Sequence, residues 1–238
     1  MKILAFDTAT SATTVALVGF SPEALEARDD PCPGRRPGHA TRLLPLVAEL
    51  LERAGADYSD LDRIAVGTGP GTFTGLRIGI ATARSLAGAA RVPLVGVSTL
   101  RSLAMGARSA AAERSLERVV ALIDARRGEA FAAAWADPGR GEETLLAPGA
   151  YGPEALAGHL RDLGPSTVMA VGDGAVEFRQ VLERLGAFVA ADGSDVHRVS
   201  AAVHAEIARG LPVADPDDVR PEYIRIPDAE MTRRSAAP

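Results

Sequence analysis

The sequence predicts an α/β protein built from two similar halves. Short apolar or alternating runs, typical of strands, are separated by segments in which leucine and alanine recur every three or four residues, as in helices. Both halves of the 238-residue chain follow the order β-β-β-α-β-α-β-α, which indicates a duplicated domain with a cleft between the lobes. Hydrophobic residues make up 47% of the chain, enough for a sizeable core.

The first half supplies five strands and three helices. Strands are predicted at residues 2–7, 13–19, 23–28, 63–67 and 94–97, and helices at 39–54, 74–90 and 98–112. A Pro- and Gly-rich loop at 29–38 precedes the first helix, and Ser98 is the predicted N-cap of the third.

The second half repeats the order less clearly. Strands are predicted at residues 118–124, 129–135, 143–146, 167–171 and 188–190, and helices at 153–163, 175–185 and 198–209. We therefore expect one lobe at 1–102, another at 103–225 and a frayed tail at 226–238. The last helix is a candidate to pack back on the first lobe.

Composition excludes several classes of function. A net charge of −5 argues against a stand-alone nucleic-acid binder. The single cysteine excludes an internal disulfide. No apolar run reaches membrane length and the start does not resemble a signal peptide, so we expect a cytoplasmic protein with no membrane contact. Lys2 is the only lysine, which excludes a P-loop.

The stretch from Gly67 to Arg77 is the most informative segment. It contains four glycines and joins a predicted strand to a nearly uncharged helix. Such a turn presents backbone N–H groups to an anion, or it allows another element to approach closely. The sequence leaves both uses open.

Several motifs resemble the TsaB (YeaZ) family of the actin-like ATPase superfamily. The matching stretches are residues 3–8, 39–45, 67–83, 95–100, 123–129, 171–175 and 220–225. The resemblance implies a duplicated actin-like (ribonuclease H-like) fold. It also implies a non-catalytic subunit that activates TsaD, the enzyme that places threonylcarbamoyl on the adenosine beside the anticodon of certain tRNAs, with the ATPase TsaE as a third member.

The same resemblance suggests a vestigial nucleotide cleft. Its candidate residues are Asp7, Thr8, Gly172, Asp173 and Gly174. Ala9 stands where such ATPases usually have a glycine, and turn capping by Asp7 and by Asp173 explains these residues equally well. We expect no cofactor in the isolated chain, with ATP or ADP left open for a complex.

Neither a metal site nor a nucleophile is supported. The catalytic relatives carry two histidines four residues apart on the first helix, but here His39 is followed four residues later by Leu43. We therefore expect no catalytic residue and no metal ligand.

The helices at 39–54 and 74–90 predict a partner surface, because the apolar positions of each exceed the single stripe that would pack on its own sheet. The residues assigned to it are His39, Arg42, Leu43, Leu46, Val47, Leu50, Gly71, Thr72, Phe73, Thr74, Arg77, Ile80 and Arg84. Burial of these helices between the lobes is the alternative. The expected partner is a TsaD-like subunit, with a homodimer when the chain is alone and tRNA contacted only indirectly.

Two further functions remain open. One is a stand-alone ATP-dependent kinase or transferase that uses the cleft residues around Asp7 and Asp173. The other is direct tRNA binding through Arg126, Arg127, Arg220 and Arg225.

Overall fold

The computed structural model describes residues 1–32, 34–138, 142–164 and 167–225, so the predicted tail at 226–238 lies outside the described residues. The strands are β1 (Ile3–Asp7), β2 (Thr13–Val18), β3 (Leu25–Asp29), β4 (Arg63–Gly69), β5 (Leu94–Ser98), β6 (Arg118–Asp124), β7 (Ala130–Ala136), β8 (Glu143–Tyr151), β9 (Val168–Val171) and β10 (Phe188–Val189). The helices are α1 (His39–Ala54), α2 (Phe73–Ala90), α3 (Thr99–Gly106), α4 (Arg108–Ala112), α5 (Pro153–Asp162), α6 (Asp173–Glu177), α7 (Arg179–Arg184) and α8 (Ala201–Gly210).

The two halves form two sheets with the same topology. The first sheet has the order β3-β2-β1-β4-β5, and the second has the corresponding order β8-β7-β6-β9-β10. In each sheet the first three strands along the chain are antiparallel neighbours and the remaining two are parallel to the first. This repeat confirms the predicted duplicated α/β fold.

Helices cover both faces of the first sheet. On one face α1 and α2 pack on a core that includes Leu4, Phe6 and Val66. On the other face α8 packs Ala201 and Ala205 against the first sheet. The last helix of the second half thus completes the core of the first lobe.

The second sheet is covered in the same way. Leu100 and Leu103 of α3 pack on it from one side, and α5, α6 and α7 supply Leu156, Ala175 and Leu182 on the other. The predicted lobe boundary at 102–103 falls inside α3. Within the described residues, no helix is long and apolar enough to cross a lipid bilayer.

Three elements differ from the prediction. The helix expected at 98–112 is divided into α3 and α4 after Gly106, and the one at 175–185 is divided into α6 and α7 at Phe178. Strand β8 continues through Pro148 to Tyr151, beyond the predicted end at residue 146. β8 lies at the edge of its sheet, where a proline without an N–H is tolerated.

The glycines of α2 allow it to approach the turn after β1. A Cβ at Gly71 would lie 2.3 Å from the Ala9 carbonyl oxygen, and one at Gly75 would lie 1.9 Å from the Thr8 carbonyl oxygen. A Cβ at Gly79 would lie 2.4 Å from Thr8 Oγ1. All three distances are too short for a side chain, so these glycines serve close packing.

We expect Gly75→Ala to lower the free energy of unfolding by about 1–3 kcal/mol, because the new methyl group meets backbone that cannot move aside. The matched control is Gly88→Ala on the same helix, where a Cβ meets nothing within 4 Å. The control should be neutral or stabilising by up to about 1 kcal/mol. Urea denaturation of both variants measures the difference, and equal stability would contradict this account of the glycines.

Candidate functional site

Asp7 ends β1 and is fully buried. Its Oδ1 accepts a hydrogen bond from the Ala9 N–H at 2.7 Å, and its Oδ2 accepts one from Thr99 Oγ1 at 2.7 Å. His204 Nε2 of α8 lies 3.0 Å from the same Oδ2. Both carboxylate oxygens are therefore engaged inside the chain, and neither faces the cleft between the lobes.

His204 extends this network into α3. Its Nδ1 lies 2.8 Å from Ser102 Oγ and 3.0 Å from the Ser200 carbonyl oxygen. The two ring nitrogens therefore face a carbonyl oxygen and a carboxylate oxygen, both of which are acceptors. Asp7, Ser102 and His204 each expose 1% or less of their surface, so this Ser-His-Asp set is not accessible to a substrate.

The environment determines the pKa of Asp7. Burial alone would raise the pKa of this carboxyl group, but the hydrogen bond and charge of His204, aided by Thr99 and the Ala9 N–H, lower it below its ordinary value. His204 lies on the alanine-rich buried face of α8, and its position in the sequence does not reveal that Asp7 is its partner.

Thr8 and the glycine-rich turn are also occupied. Thr8 Oγ1 donates to the Gly75 carbonyl oxygen at 2.7 Å. The Thr72 N–H donates to the Ala9 carbonyl oxygen at 2.7 Å, and the Gly69 N–H donates to Thr99 Oγ1 at 3.2 Å. Two backbone donors of this turn, those of Gly69 and Thr72, are thus bonded within the chain, which favours close packing as the role of this turn.

A cleft of about 530 Å³ lies between the lobes. Asp173 is the one residue of the predicted nucleotide set that lines it. Its Oδ1 accepts from the backbone N–H groups of Asp124 and Gly174, each at 2.9 Å. The predicted N-cap position of α6 is taken by Gly172 instead of Asp173.

The glycines of this second turn pack on β6. Gly172 has a φ of +103°, and a Cβ there would lie 1.9 Å from the Leu122 carbonyl oxygen. Its N–H donates to His197 Nδ1 at 3.1 Å. A Cβ at Gly174 would lie 3.0 Å from the Leu122 side chain. These contacts explain both glycines without a nucleotide.

The charges of the cleft do not favour a polyphosphate. Four carboxylates line it, while the two lining arginines, Arg28 and Arg198, both bind Asp30. The four are Asp30, Asp173, Glu177 and Asp192. Burial, and then the nearby Asp124 carboxylate, raise the pKa of Asp173. Acidic lining repels an anionic ligand of this size.

The candidate metal residues do not converge. Among the described residues, no group of three or more His, Cys, Asp or Glu side chains is placed to hold a metal ion. His39 is 3% exposed and its Nδ1 lies 2.8 Å from Thr13 Oγ1; burial lowers its pKa.

Ser98 caps α3, as predicted, with its Oγ 3.5 Å from the Arg101 N–H.

Several residues assigned to the partner surface lie inside the first lobe, which corrects the composition of that surface. The buried ones are His39, Leu43, Leu46, Val47, Leu50 and Ile80. Helical periodicity marks the stripe that packs on the sheet, and the aliphatic side chains of this stripe belong to the core. Arg42, Thr72, Phe73, Thr74 and Arg77 are exposed, and Gly71 and Arg84 are half-buried.

The outer surface of α2 is poor in charge, whereas that of α1 carries Arg42, Glu49, Glu52 and Arg53 beside exposed apolar residues. Both helices run from the carboxyl ends of parallel strands to the amino end of the next strand, so they lie parallel and begin at the same edge of the sheet. Leu44 is 48% exposed and Phe73 is 37% exposed near these beginnings. We call the exposed set Leu44, Pro45, Ala48, Phe73, Arg77, Ala81 and Ser85 the helix-pair face.

Most candidate arginines already have partners in the chain. Arg84 Nη2 donates to the carbonyl oxygens of Asp217 and Val219, both at 2.9 Å. Arg126 pairs with Asp124. Arg220 Nε donates to the Asp217 carbonyl oxygen, and Arg225 binds the turn between β6 and β7. Arg77 belongs to the helix-pair face.

Asp7→Asn should lower the free energy of unfolding at pH 7 by about 3 kcal/mol, because His204 loses a buried charged partner. The pKa of Asp7 is lower in the folded state than its ordinary value of 3.8. Its ionised form therefore stabilises the fold fully at pH values above 3.8, and this stabilisation is lost as the pH falls through the folded-state pKa. The advantage of the wild type over Asp7→Asn should therefore shrink in strong acid.

Urea denaturation at a series of pH values measures this advantage. Asp162→Asn, at an exposed carboxylate on α5, is the control and should leave stability within about 0.5 kcal/mol of wild type. An Asp7→Asn variant as stable as wild type at pH 7 would refute the role given to the network.

Comparison with known proteins identifies a matching family model and similar proteins. Residues 36–209 match the family model described as "TsaD: tRNA N6-adenosine threonylcarbamoyltransferase". The tRNA threonylcarbamoyladenosine biosynthesis protein TsaB of Escherichia coli is 43% identical over 145 residues, which are 61% of this chain and 58% of that protein. The protein of the same name from Haemophilus influenzae is 34% identical over 55% of this chain and 52% of its own length.

The chain spans little more than half the length of these two relatives. A solved structure, in contrast, matches over its whole length. YeaZ from Pseudomonas aeruginosa superposes with a TM-score of 0.72 and 30% identity, covering 93% of this chain and 100% of that one. On the matched family model and this full-length structural likeness, the chain belongs to the TsaB (YeaZ) family, a TsaD-like family with the actin-like ATPase fold that takes part in tRNA threonylcarbamoyladenosine biosynthesis.

Proposed function

We propose that the chain is a non-catalytic subunit that binds and activates a TsaD-type tRNA N6-adenosine threonylcarbamoyltransferase. The observation that carries the proposal is a contrast between two places. Asp7, where an actin-like ATPase would contact metal-bound phosphate, is sealed by Ala9, Thr99 and His204. The helix-pair face, in contrast, leaves Leu44 and Phe73 exposed to water.

The helix-pair face suits a partner of the same fold. Because the TsaD family model matches residues 36–209, a TsaD-type enzyme has an equivalent helix pair to offer. Small residues such as Ala48, Ala81 and Ser85 let facing helices approach closely. The proposed complex is therefore a bundle of two helix pairs, and a homodimer through the same face is the proposed state of the chain alone.

Activation would follow from differential binding. If the enzyme subunit has a competent and an incompetent conformation, docking shifts the population only when the face binds the competent one more tightly. A TsaE-like ATPase, ATP or ADP within the complex, and tRNA held mainly by the enzyme subunit complete the proposal. The chain itself supplies a surface and no reacting group.

A stand-alone kinase is less well supported. It would require Asp7 to reach Mg-ATP, and that carboxylate has no exposed surface. Calorimetry of the isolated chain with Mg-ATP separates the two functions. Micromolar binding that disappears in Asp7→Ala, in a variant shown to be folded, would favour the kinase.

The helix-pair face is tested with two exposed alanines. Ala48→Asp, on α1, should raise the Kd for the purified TsaD-type subunit about tenfold or more, since the bundle would bury an unpaired charge. Ala155→Asp, at an exposed position of α5, is the matched control and should stay within about twofold of wild type. Leu46 and Leu50 are unsuitable for this test because both lie in the core.

Calorimetry measures the Kd, and threonylcarbamoyl transfer to tRNA by the reconstituted complex gives a second readout. If Ala48→Asp binds and activates like wild type, the partner does not use this face. If the wild-type chain itself fails to bind, the proposed function is wrong.

A further inference from the structure

The chain after α8 returns across the first lobe. We call residues 214–225 the strap. The Ala214 N–H bonds to the Leu94 carbonyl oxygen at the open edge of β5, and the Val219 side chain is 4% exposed within the core. The Glu222 N–H donates to the Thr68 carbonyl oxygen at 2.7 Å. The strap is thus an ordered part of the first lobe.

Beside α2 the strap forms an exposed aromatic cluster. The rings of Phe73 and Tyr223 stack with centroids 5.4 Å apart. The Arg77 guanidinium lies 3.8 Å from the Phe73 centroid, and its Nε donates to the Tyr223 hydroxyl at 3.2 Å. Tyr223 nevertheless remains 43% exposed. Stacked aromatic and arginine side chains at a surface are typical of the residues that carry binding energy.

The cluster continues the helix-pair face. Arg77, Ile80, Ala81 and Arg84 of α2, with Pro221 and Tyr223 of the strap, line a groove of about 370 Å³. Arg77 and Ala81 line the groove and also belong to the helix-pair face. A partner that covers the helix pair therefore reaches the strap as well.

The charged side chains of the groove indicate which chemical group of a partner would bind there. The Arg84 guanidinium is held by the carbonyl oxygens of Asp217 and Val219. For Arg77 the described residues provide a ring and a hydroxyl but no carboxylate. A carboxylate of the partner would complete this site, because a guanidinium binds one with two parallel hydrogen bonds.

The far end of the strap grips the second lobe. Arg225 Nη1 donates to the Ala125 carbonyl oxygen at 2.9 Å, and its Nη2 pairs with Glu129. Both partners lie at the turn between β6 and β7. Arg225, two residues after Tyr223, therefore attaches the end of the strap to the second lobe.

We propose that the strap forms part of the docking surface for the TsaD-type subunit, with Tyr223 contacting the partner and Arg225 as a positioning residue. The inference rests on the proposed function. It adds a segment outside α1 and α2, and it identifies an acidic side chain of the enzyme subunit as the group that enters the groove beside Arg77.

Binding of Tyr223 variants to the purified TsaD-type subunit tests the contact. Tyr223→Ala should raise the Kd about tenfold, and Tyr223→Phe, which keeps the stack but loses the bond to Arg77, should raise it less. Tyr151→Ala is the matched control, since Tyr151 is a half-buried tyrosine of the second lobe. It should bind within about twofold of wild type.

A double-mutant cycle tests the positioning role. If Arg225 acts through Tyr223, Arg225→Ala weakens binding alone but adds little in a Tyr223→Ala background. Hydrogen exchange at the Glu222 amide should also become faster in Arg225→Ala. Fully additive effects on Kd would overturn the positioning role.

The outcomes separate this inference from the proposed function. If the wild type binds and Ala48→Asp weakens binding while Tyr223→Ala does not, the strap is excluded and the helix-pair face stands. The strap proposal also fails if Tyr223→Ala changes only self-association, measured by sedimentation, or only tRNA retention on a filter. Absence of wild-type binding rejects the proposed function itself.

Discussion

The buried carboxylate of Asp7 is the interaction on which the rest of the structure depends. It joins β1 to the start of α3 through Thr99 and to α8 through His204. An ionised carboxylate is costly to bury without partners, so these elements must stay in register for the fold to be stable. As a result the last helix is fixed over the first sheet and the end of β1 is closed.

The same constraint decides the meaning of the glycine-rich stretch. A strand, a glycine turn and a helix can cradle a phosphate, yet the Thr72 N–H is bonded to Ala9 and a Cβ at Gly75 would strike the Thr8 carbonyl oxygen. With the turn after β1 pressed against α2, no room remains there for an anion. Small residues allow close packing here, and the phosphate interpretation would need the opposite, an open turn.

The sequence was sufficient for the order of elements and the duplication, because strand and helix periods are local signals. The family followed from the resemblance of its motifs. From the sequence, buried side chains were assigned to the partner surface, since the spacing of Leu43, Leu46 and Leu50 marks a core stripe and periodicity alone does not separate that stripe from the flank at Leu44 and Ala48. The pairing of His204 with Asp7 spans most of the chain, so no local pattern could reveal it. Nor could the packing of the strap on the first lobe be predicted, because its prolines and aspartates are typical of a loop.

The sealing of Asp7 and the exposure of the helix pair are two consequences of one rigid lobe. Core leucines fix α1, the glycine contacts fix α2, and Arg84 with Arg225 fixes the strap. A surface already held in its binding shape loses little conformational entropy when a partner covers it. Less of the gain from burying its apolar area is then lost to ordering. A flexible lobe would lose that advantage, so the proposed action by association would benefit from the sealing of Asp7.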